Sequence, residues 1–426
     1  MNLSDRFFLR QAERRLAALP LPCAVQLPGG LRIGASQPML QLMVRDVRTL
    51  MHLAQGVIGR LAEDYVEGSL QIEGQLRDLM TIAPALLGID PTQVPSTWRH
   101  RAWQNTRLAI RSFGSHSRDR DARQVQQHYD VSDDFYALWL DPRRIYSCAY
   151  FSEPTMTLSQ AQESKLDHIC KKLMLSPRDR FIDIGAGWGG LLLWAAEHYE
   201  VNATGITLSK NQYAYVNRLI DARKLQGRVR MLLQDYRDID ESHPFDKVAS
   251  IGMCEHVGAK NLTAYFAKIR RILRPGGLLL NQAITSGSTE AAQLGGGLGD
   301  FIEKYIFPGG QLVHVSVMLA AMGKSKLEAV DAECLRPHYA RTLWHWADAL
   351  DAHLDQARRV LGARSESVIR AYRLYLAGSA MGFEQGWLSL FQVLGVREDD
   401  NRACAYPFNR SYMYLSAEGH DLGPPP

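Results

Sequence analysis

Cysteine is scarce in this sequence of 426 residues, and none of the six cysteines lies in a CxxC or CxxH pair. This scatter excludes a disulfide framework and a zinc-site spacing, so we expect reduced thiols, no metal site and a cytosolic location. The sequence also lacks an early apolar run with a small-residue cleavage site, which argues against secretion. No stretch reaches the roughly 18 uncharged apolar residues of a transmembrane helix, so we expect a soluble protein that can visit a membrane surface.

Lysine is absent from residues 1–123, although that segment contains sixteen Arg against eleven Asp and Glu. The whole chain has 49 basic and 45 acidic side chains, a net charge of +4, so the remainder is about neutral. An N-terminal segment whose positive charge comes from Arg alone, followed by a nearly neutral remainder, predicts an anionic partner. Apolar residues at 46% and charged residues at 22% exclude intrinsic disorder and allow a packed core, and the length of 426 residues predicts two or three domains.

The first ninety residues read as a small domain. Residues 3–18 place apolar side chains at helical spacing beside several arginines. This pattern fits a basic amphipathic helix on an anionic bilayer, and it fits equally a packed helix with a solvated basic edge. Segment 22–90 mixes short strands, turns and helical stretches, which predicts a small α+β domain that ends near Pro91 and Pro95.

Segment 96–124 is strongly basic, with seven Arg and two His against two Asp, and it contains Trp98, Trp103 and Phe113. Arg beside Trp suits phospholipid headgroups and also nucleic acid, and a charged linker helix has the same composition. No nucleic-acid-binding signature accompanies the run, so we expect no nucleic-acid partner. Residues 1–124 are therefore assigned to a basic, lipid-docking domain and its linker.

From residue 125 onward, buried strands alternate with helices. Five strands are predicted, at RFIDIG (180–185), NATGITLS (202–209), RVRMLLQD (228–235), FDKVASIGM (245–253) and GGLLLNQAI (276–284). This alternation predicts an α/β fold with a doubly wound, mainly parallel sheet. A Gly-rich loop at 287–300 and helical blocks at 341–361 and 366–395 follow. We place one domain at 125–396 and a C-terminal tail at 397–426.

A Gly-rich turn after the first of these strands contains Asp183, Gly185, Gly187 and Gly189. Glycines there let the backbone approach a ligand and place helix N-terminal amides at its charged group. The acid lies two positions before the first Gly, unlike the GxGxxG fingerprint. The turn resembles motif I of S-adenosylmethionine-dependent methyltransferases, which holds the cofactor. The resemblance implies further cofactor contacts after the second and third strands, at Thr207, Leu208, Gln212, Gln234, Asp235 and Tyr236.

Further motifs resemble one family, the cyclopropane fatty acid synthases and mycolic acid cyclopropane synthases. They cover roughly residues 125–395 in family order: HYDVSDDFYALWLDP (128–142), YSCAYF (146–151), DIGAGWGG (183–190), TLSKNQ (207–212), LLQDYRD (232–238), IGMCEHVG (251–258) and IEKYIFPGG (302–310). The resemblance implies a class I methyltransferase-like sheet with helical acyl-binding insertions. It also implies that residues 1–124 are the accessory domain of the phospholipid-acting branch, and that the chain forms a homodimer.

The resemblance implies a reaction as well. The methyl group of S-adenosylmethionine is transferred to the cis double bond of an unsaturated acyl chain, here within a phospholipid at the inner face of an anionic membrane. The resulting carbocation loses a proton from the new methyl group, and a cyclopropane ring closes. In this family the base is thought to be a bound bicarbonate, held by a Cys, a Glu, a His, a Tyr and a backbone group.

The family's site residues fall on specific positions of this sequence. The catalytic set is Cys148, Glu255, Tyr339 and the backbone of Ile284, and Tyr146 and Ser147 would touch the cofactor. The family His falls on Gln282, and Ser379 stands where some bacterial members have Cys. A Gln amide can donate a hydrogen bond to bicarbonate, but it cannot become cationic or relay a proton. His256 is interpreted as structural or as a support of the site.

Gln282 therefore keeps a second product open, a methyl-branched or methylene-bearing acyl chain. Two further hypotheses are a catalytically silent protein that binds lipid or cofactor, and a small-molecule methyltransferase. The sequence does not separate core aromatics from residues that line an acyl tunnel. These aromatics are Tyr305, Phe307, Trp344, Trp346, Tyr372, Tyr375 and Phe383.

Overall fold

The computed structural model describes residues 3–27, 29–88, 90–93, 132–289, 294–398 and 406–414. The basic segment predicted at 96–124 and the end of the C-terminal tail lie outside the described residues. Within the described ranges, no helix is both long and apolar enough to cross a membrane. The same part of the chain contains no group of three or more His, Cys, Asp or Glu that could hold a metal ion.

The N-terminal part combines a four-stranded sheet with helices, as the sequence predicts for a small α+β unit. Its elements are α1 (Leu3–Ala17), β1 (Cys23–Gln26), β2 (Arg32–Gly34), β3 (Leu40–Val44), α2 (Val47–Gln55), α3 (Ile58–Glu67), β4 (Leu70–Glu73) and α4 (Leu76–Leu87). The strand order is β2-β1-β3-β4. The central pair β1 and β3 is parallel, and the two outer pairs are antiparallel.

Helix α1 packs into this unit. Its residues Leu9, Ala12 and Leu16 are buried in the core. The Arg15 guanidinium donates to the carbonyls of Ala54 and Leu86, both at 2.9 Å. These carbonyls lie in the last turns of α2 and α4, where backbone acceptors lack helical partners. Between the two interpretations of residues 3–18, the structure supports the packed helix.

The larger part is built on a seven-stranded sheet. Its first elements are α5 (Asp133–Ala137), α6 (Leu158–Lys172), β5 (Arg180–Ile184), α7 (Gly190–His198), β6 (Asn202–Thr207), α8 (Lys210–Ala222), β7 (Val229–Leu233), β8 (Phe245–Ile251) and α9 (Cys254–Val257). The later elements are α10 (Leu262–Ile272), β9 (Leu273–Ser286), α11 (Leu298–Tyr305), α12 (Val315–Lys324), β10 (Leu327–Cys334), α13 (Arg336–Ala352), α14 (Leu354–Leu361), α15 (Ser365–Glu384) and β11 (Leu388–Arg397).

The strand order β10-β11-β9-β8-β5-β6-β7 confirms the predicted doubly wound sheet. Strands β5 to β9 pair in parallel, and β11 runs antiparallel to both of its neighbours. All five predicted strands are present, as β5 to β9. In an open sheet of this kind, ligands bind outside the carboxyl ends of the strands, where the order reverses. Here that point lies between β5 and β8.

One predicted helical block is wrong at its end. The block 366–395 includes most of β11, and the preceding helix α15 ends at Glu384. Seven of the ten residues of β11 are buried, because its side chains enter hydrophobic cores on both faces of the sheet. A continuous apolar run cannot be distinguished from a buried helix by its periodicity. The Gly-rich loop predicted at 287–300 is wrong at its last three residues, because α11 begins at Leu298.

The N-terminal unit contacts the larger part through α3. The Gly59 amide donates to the Gly296 carbonyl at 3.0 Å. Farther along α3, Arg373 on α15 donates to the Tyr65 hydroxyl at 3.0 Å. The Lys304 ammonium on α11 pairs with the Glu63 carboxylate at 3.1 Å. Helix α3 therefore supports both α11 and α15.

Candidate active site

The Gly-rich turn after β5 forms one wall of a pocket. Gly185 and Gly187 line it and have φ values of +82° and +56°, a region that favours glycine. A Cβ atom at Gly187 would meet no described atom within 4 Å, so the space beside it is open to a ligand. Gly189, with φ of +82°, is the N-cap of α7 and is not among the lining residues.

Asp183 is the last but one residue of β5, next to this turn. Its side chain is buried, and its Oδ1 atom has no hydrogen-bond partner among the described residues. Burial raises the pKa of this carboxyl to about 7, although the Lys165 ammonium counteracts part of the rise. A buried carboxylate oxygen without a partner suits a ligand that brings its own hydroxyl or ammonium donor. The turn and the acid therefore fit S-adenosylmethionine.

Another part of the wall of the same pocket comes from the ends of β6 and β7 and from the segments that follow them. All six residues predicted there line it: Thr207, Leu208, Gln212, Gln234, Asp235 and Tyr236. The Thr207 hydroxyl donates to Gln212 Oε1 at 2.7 Å, and the Ser209 side chain caps α8. The Asp235 carboxylate is held by the Arg237 guanidinium at 2.6 Å. Arg237 also lines the pocket and is not among the predicted residues, although it lies within the motif LLQDYRD (232–238).

A second cavity, with a mainly apolar lining, adjoins the first. Gly252 and His256 line both pockets, so the two meet there. Gly252 follows β8 with φ of +71°, and no described atom would approach a Cβ atom there within 4 Å. His256 therefore touches the junction directly, although the sequence predicts only a structural or supporting role for it. Its place in the MCEHVG motif, next to Glu255, is the signal that could have found it.

Aromatic and aliphatic side chains form most of the second cavity. Of the seven aromatics that the sequence could not assign, Phe307, Tyr375 and Phe383 line it. The rings of Phe307 and Tyr375 meet edge to face at 5.6 Å. The aliphatic lining comprises Ile284, Leu294, Ile302, Leu312, Leu343, Leu388 and Leu390. Such walls hold an apolar chain and exclude water.

Glu255 lies at the start of α9, in the wall of this cavity. Its Oε1 atom accepts a hydrogen bond from the Ile284 amide at 2.7 Å. Its Oε2 atom is buried and has no partner in the part of the chain that the structure describes. Burial raises the pKa of the carboxyl to about 7, against the opposing effect of the Ile284 hydrogen bond. Near neutral pH this group can both hold and release a proton.

The structure brings most of the predicted catalytic residues together. Glu255, Gln282, Ile284 and Tyr339 line the cavity, although the Ile284 amide is already used by Glu255. Tyr146 and Ser147 line this cavity and not the cofactor pocket. Ser379 lines it as well.

Cys148 does not line the cavity. It is fully buried behind Ser147, and its Sγ atom donates to the Ala149 carbonyl at 3.1 Å. Burial raises the pKa of this thiol well above its usual range, so it is neutral at physiological pH. The role of each of these residues in catalysis stays a prediction.

Lys165 on α6 is a neighbour of the site that the sequence did not predict. Its side chain is almost fully buried, and its ammonium donates to the Ser147 hydroxyl at 2.8 Å. Burial lowers the pKa of this group to about 8. The contact orients Ser147 in the cavity wall. No local motif marks Lys165, because its partners come from other segments of the chain.

Comparison with known proteins agrees with this geometry. The family model for mycolic acid cyclopropane synthetase matches residues 116–393. A probable fatty acid methyltransferase from Pseudomonas putida is 38% identical over 411 residues, which cover 95% of this chain and 100% of that protein.

Solved structures also match the larger part of the chain, and two of them are cyclopropane synthases. The cyclopropane synthase MmaA2 from Mycobacterium tuberculosis is 37% identical, with a TM-score of 0.61 over 65% of this chain and 98% of that one. The mycolic acid cyclopropane synthase CmaA1, solved with SAH and CTAB, is 36% identical, with a TM-score of 0.60 and the same coverage. The chain therefore belongs to the cyclopropane synthase family of S-adenosylmethionine-dependent methyltransferases.

Proposed function

We propose that this enzyme adds a methylene group from S-adenosylmethionine to the cis double bond of an unsaturated phospholipid acyl chain and so forms a cyclopropane ring. One observation carries the proposal. An apolar cavity meets the cofactor pocket at Gly252 and His256, and the carboxyl of Glu255 is buried in the cavity wall. A cofactor and an acyl chain would therefore face each other with an ionisable group beside them.

The chain's own residues perform three tasks in this proposal. The Gly-rich turn and Asp183 hold S-adenosylmethionine, which supplies an electrophilic methyl group. The apolar wall holds the alkene against it in a dry site, which a weak nucleophile needs. The ring faces of Tyr146, Phe307 and Tyr375 stabilise the positive charge that develops on the alkene carbon.

Ring closure requires that the new methyl group lose a proton. Glu255, Gln282 and Tyr339 line the same cavity, and an anion such as bicarbonate held among them would supply a proton acceptor. The raised pKa of Glu255 suits this arrangement, because a protonated carboxyl can donate to an anion and a carboxylate would repel it. Gln282 contributes a neutral donor.

The second candidate product is a methyl-branched or methylene-bearing acyl chain. Gln282 favours it, because the amide cannot take up a proton at the position where the family has His. The first methyl transfer is the same in both cases, and only the fate of the carbocation differs. The similar protein from Pseudomonas putida is likewise described as a fatty acid methyltransferase.

Product analysis tests both candidates. Purified enzyme is incubated with S-adenosylmethionine, bicarbonate and vesicles of a monounsaturated phospholipid, and the released fatty esters are examined by proton NMR. High-field ring protons are the expected result. Vinylic or branched-methyl signals would establish the second product. Unchanged lipid, with the cofactor still bound by the protein, would overturn both.

We also propose that the protein docks peripherally on the inner face of an anionic membrane. The first 93 residues contain nine Arg and nine acidic residues, so the basic excess comes from residues 94–123. Binding to vesicles that contain anionic phospholipid should weaken as salt rises from 50 to 500 mM, since salt screens exposed charges. Cosedimentation with anionic and neutral vesicles measures this. Equal binding to both vesicle types at every salt concentration would contradict docking through these charges.

The homodimer that the resemblance implies stays a prediction. Light scattering, which measures the molar mass of the protein in solution, tests it.

Cofactor binding should depend on pH through Asp183. With a pKa of about 7, its ionised fraction rises from about one tenth at pH 6 to about nine tenths at pH 8. A ligand donor prefers the ionised carboxylate, so the Kd of S-adenosylhomocysteine should fall about tenfold over this range. Calorimetric titration of the wild type and of Asp183→Asn measures it. The Asn variant should lose the trend, and Glu255→Gln should keep it. An unchanged trend in Asp183→Asn would remove Asp183 from the cofactor site.

A further inference from the structure

A chain of buried polar groups lies behind Gln282. The side chains of Gln282, Gln392 and Lys172 have exposures of 1%, 0% and 0%. Strands β9 and β11 pair with Gln282 opposite Gln392, so the two amides lie side by side. Gln392 Nε2 donates to Gln282 Oε1 at 2.9 Å. The Lys172 ammonium, at the end of α6, donates to Gln392 Oε1 at 2.9 Å.

This chain has a fixed direction. An ammonium group only donates hydrogen bonds, so Gln392 must turn its oxygen toward Lys172 and its nitrogen toward Gln282. Gln282 must then present its oxygen to Gln392. The opposite orientation of Gln282 would set two amide nitrogens against each other in a dry interior, where unpaired donors are unfavourable.

The charge at the far end of the chain is balanced. Glu333 on β10 accepts a hydrogen bond from the Lys172 ammonium, and His168 contacts the same carboxylate at 2.8 Å. These contacts lower the pKa of Glu333 to about 2 in spite of its burial, so its carboxylate is ionised at neutral pH. The Glu333 carboxylate therefore balances the charge of Lys172. Because an ammonium group has three N–H donors, Lys172 can donate to Glu333 and to Gln392 together.

The orientation of the Gln282 amide determines which of its atoms faces the cavity. Gln282 lines the cavity, its oxygen is taken by Gln392, and its Nε2 atom has no partner within the described ranges. Ile284 lies two residues along β9, on the same face, and its amide holds Glu255. The amide nitrogen of Gln282 is thus the side-chain atom left to face the same cavity as Glu255.

We propose that Lys172 and Gln392 are positioning residues that hold the Gln282 amide with its N–H₂ group toward the cavity, where it donates to a small oxyanion such as bicarbonate. The inference rests on the proposed function and explains how a neutral Gln serves where the family has His. Without this support, the amide could turn its oxygen to the cavity and repel the anion beside Glu255.

The decisive variant is Gln392→Glu. A carboxylate there accepts from Lys172 and also from Gln282, so the Gln282 amide must turn its nitrogen inward and its oxygen to the cavity. We expect the bicarbonate concentration that half-saturates cyclopropane formation to rise by about tenfold or more in CO₂-free buffer. Broadening of the ¹³C NMR signal of labelled bicarbonate by the protein should be lost. The Kd of S-adenosylhomocysteine should not change.

Two further variants separate positioning from folding. Gln392→Leu keeps the side-chain volume and removes both hydrogen bonds, so it should raise the half-saturating bicarbonate concentration by a smaller factor. Adding Gln282→His to Gln392→Glu should restore bicarbonate binding, because an imidazolium can donate both to the introduced carboxylate and to the anion. A purely structural defect would not be rescued in this way.

The outcomes are distinguishable. If the wild type transfers methyl groups to lipid and Gln392→Glu keeps the wild-type half-saturating bicarbonate concentration, the positioning role is wrong. The same holds if the wild type binds no bicarbonate in the NMR titration. If the wild type modifies no lipid at all, the proposed function fails first, and this inference falls with it.

Discussion

Glu255→Gln is expected to reduce cyclopropane formation by about a hundredfold or more, within the range produced by removal of a group that takes part in proton transfer. The Gln side chain has nearly the same shape, and its oxygen can still accept from the Ile284 amide, so the fold should persist. What it loses is the ability to exchange a proton near pH 7, which burial of the carboxyl provides. The high-field ring protons of fatty esters released from phospholipid vesicles, followed by proton NMR, measure the loss.

Glu153→Gln is the matched control, because it makes the same change at an exposed carboxylate outside the cavity. It should keep wild-type rates. The Kd of S-adenosylhomocysteine should be unchanged in both variants, since Glu255 lines the apolar cavity and not the cofactor pocket. A rate near that of the wild type in Glu255→Gln would remove Glu255 from the active site.

Gly59→Ala is expected to destabilise the protein by about 1–3 kcal/mol, the usual range for an overpacked interior. An added Cβ atom would lie 2.4 Å from the Gly297 carbonyl oxygen, which belongs to the backbone and cannot rotate away. In an uncrowded helix, replacing Gly with Ala raises the free energy of unfolding by up to about 1 kcal/mol. A decrease at Gly59 would therefore indicate the close contact with Gly297. Thermal or denaturant unfolding measures the difference.

The same substitution should impair lipid modification more than cofactor binding. The segment that Gly59 touches leads into α11, and Leu294, Gly299 and Ile302 line the apolar cavity. The cofactor pocket is built from residues 185–261 and does not depend on this contact. Gly323→Ala in α12 is the control, because no described atom lies within 4 Å of its Cβ position. Equal stability of the two Ala variants would disprove the close contact at Gly59.

Much of the cofactor pocket could be predicted from sequence. The strands β5 to β9 are short apolar runs followed by helices, and each loop that carries a motif lies directly after its strand. Parallel strands bring those loops to one edge of the sheet. Eight predicted residues therefore line one pocket: Gly185, Gly187, Thr207, Leu208, Gln212, Gln234, Asp235 and Tyr236.

The residues that line the apolar cavity are harder to predict from the sequence. The side chains of Tyr375 and Phe383 lie among many aromatics on α13 and α15, and only packing decides which of them face a cavity. The sequence predicts helix over most of β11, because burial on both faces at 392–396 removes the alternation that marks a strand. The helical spacing of residues 3–18 did not decide between a membrane face and a core face, since both are apolar.

The sequence by itself determined the doubly wound sheet, the cofactor motif and the family, because each depends on residues that are close along the chain. Only the tertiary structure decided that Cys148 lies behind the cavity wall and that His256 reaches the junction of the two pockets. It also paired Gln282 with Gln392, 110 residues away, and so fixed which atom of the amide faces the cavity. Such contacts join segments that no local pattern links, and the orientation of a buried amide follows from its partners rather than from its own identity.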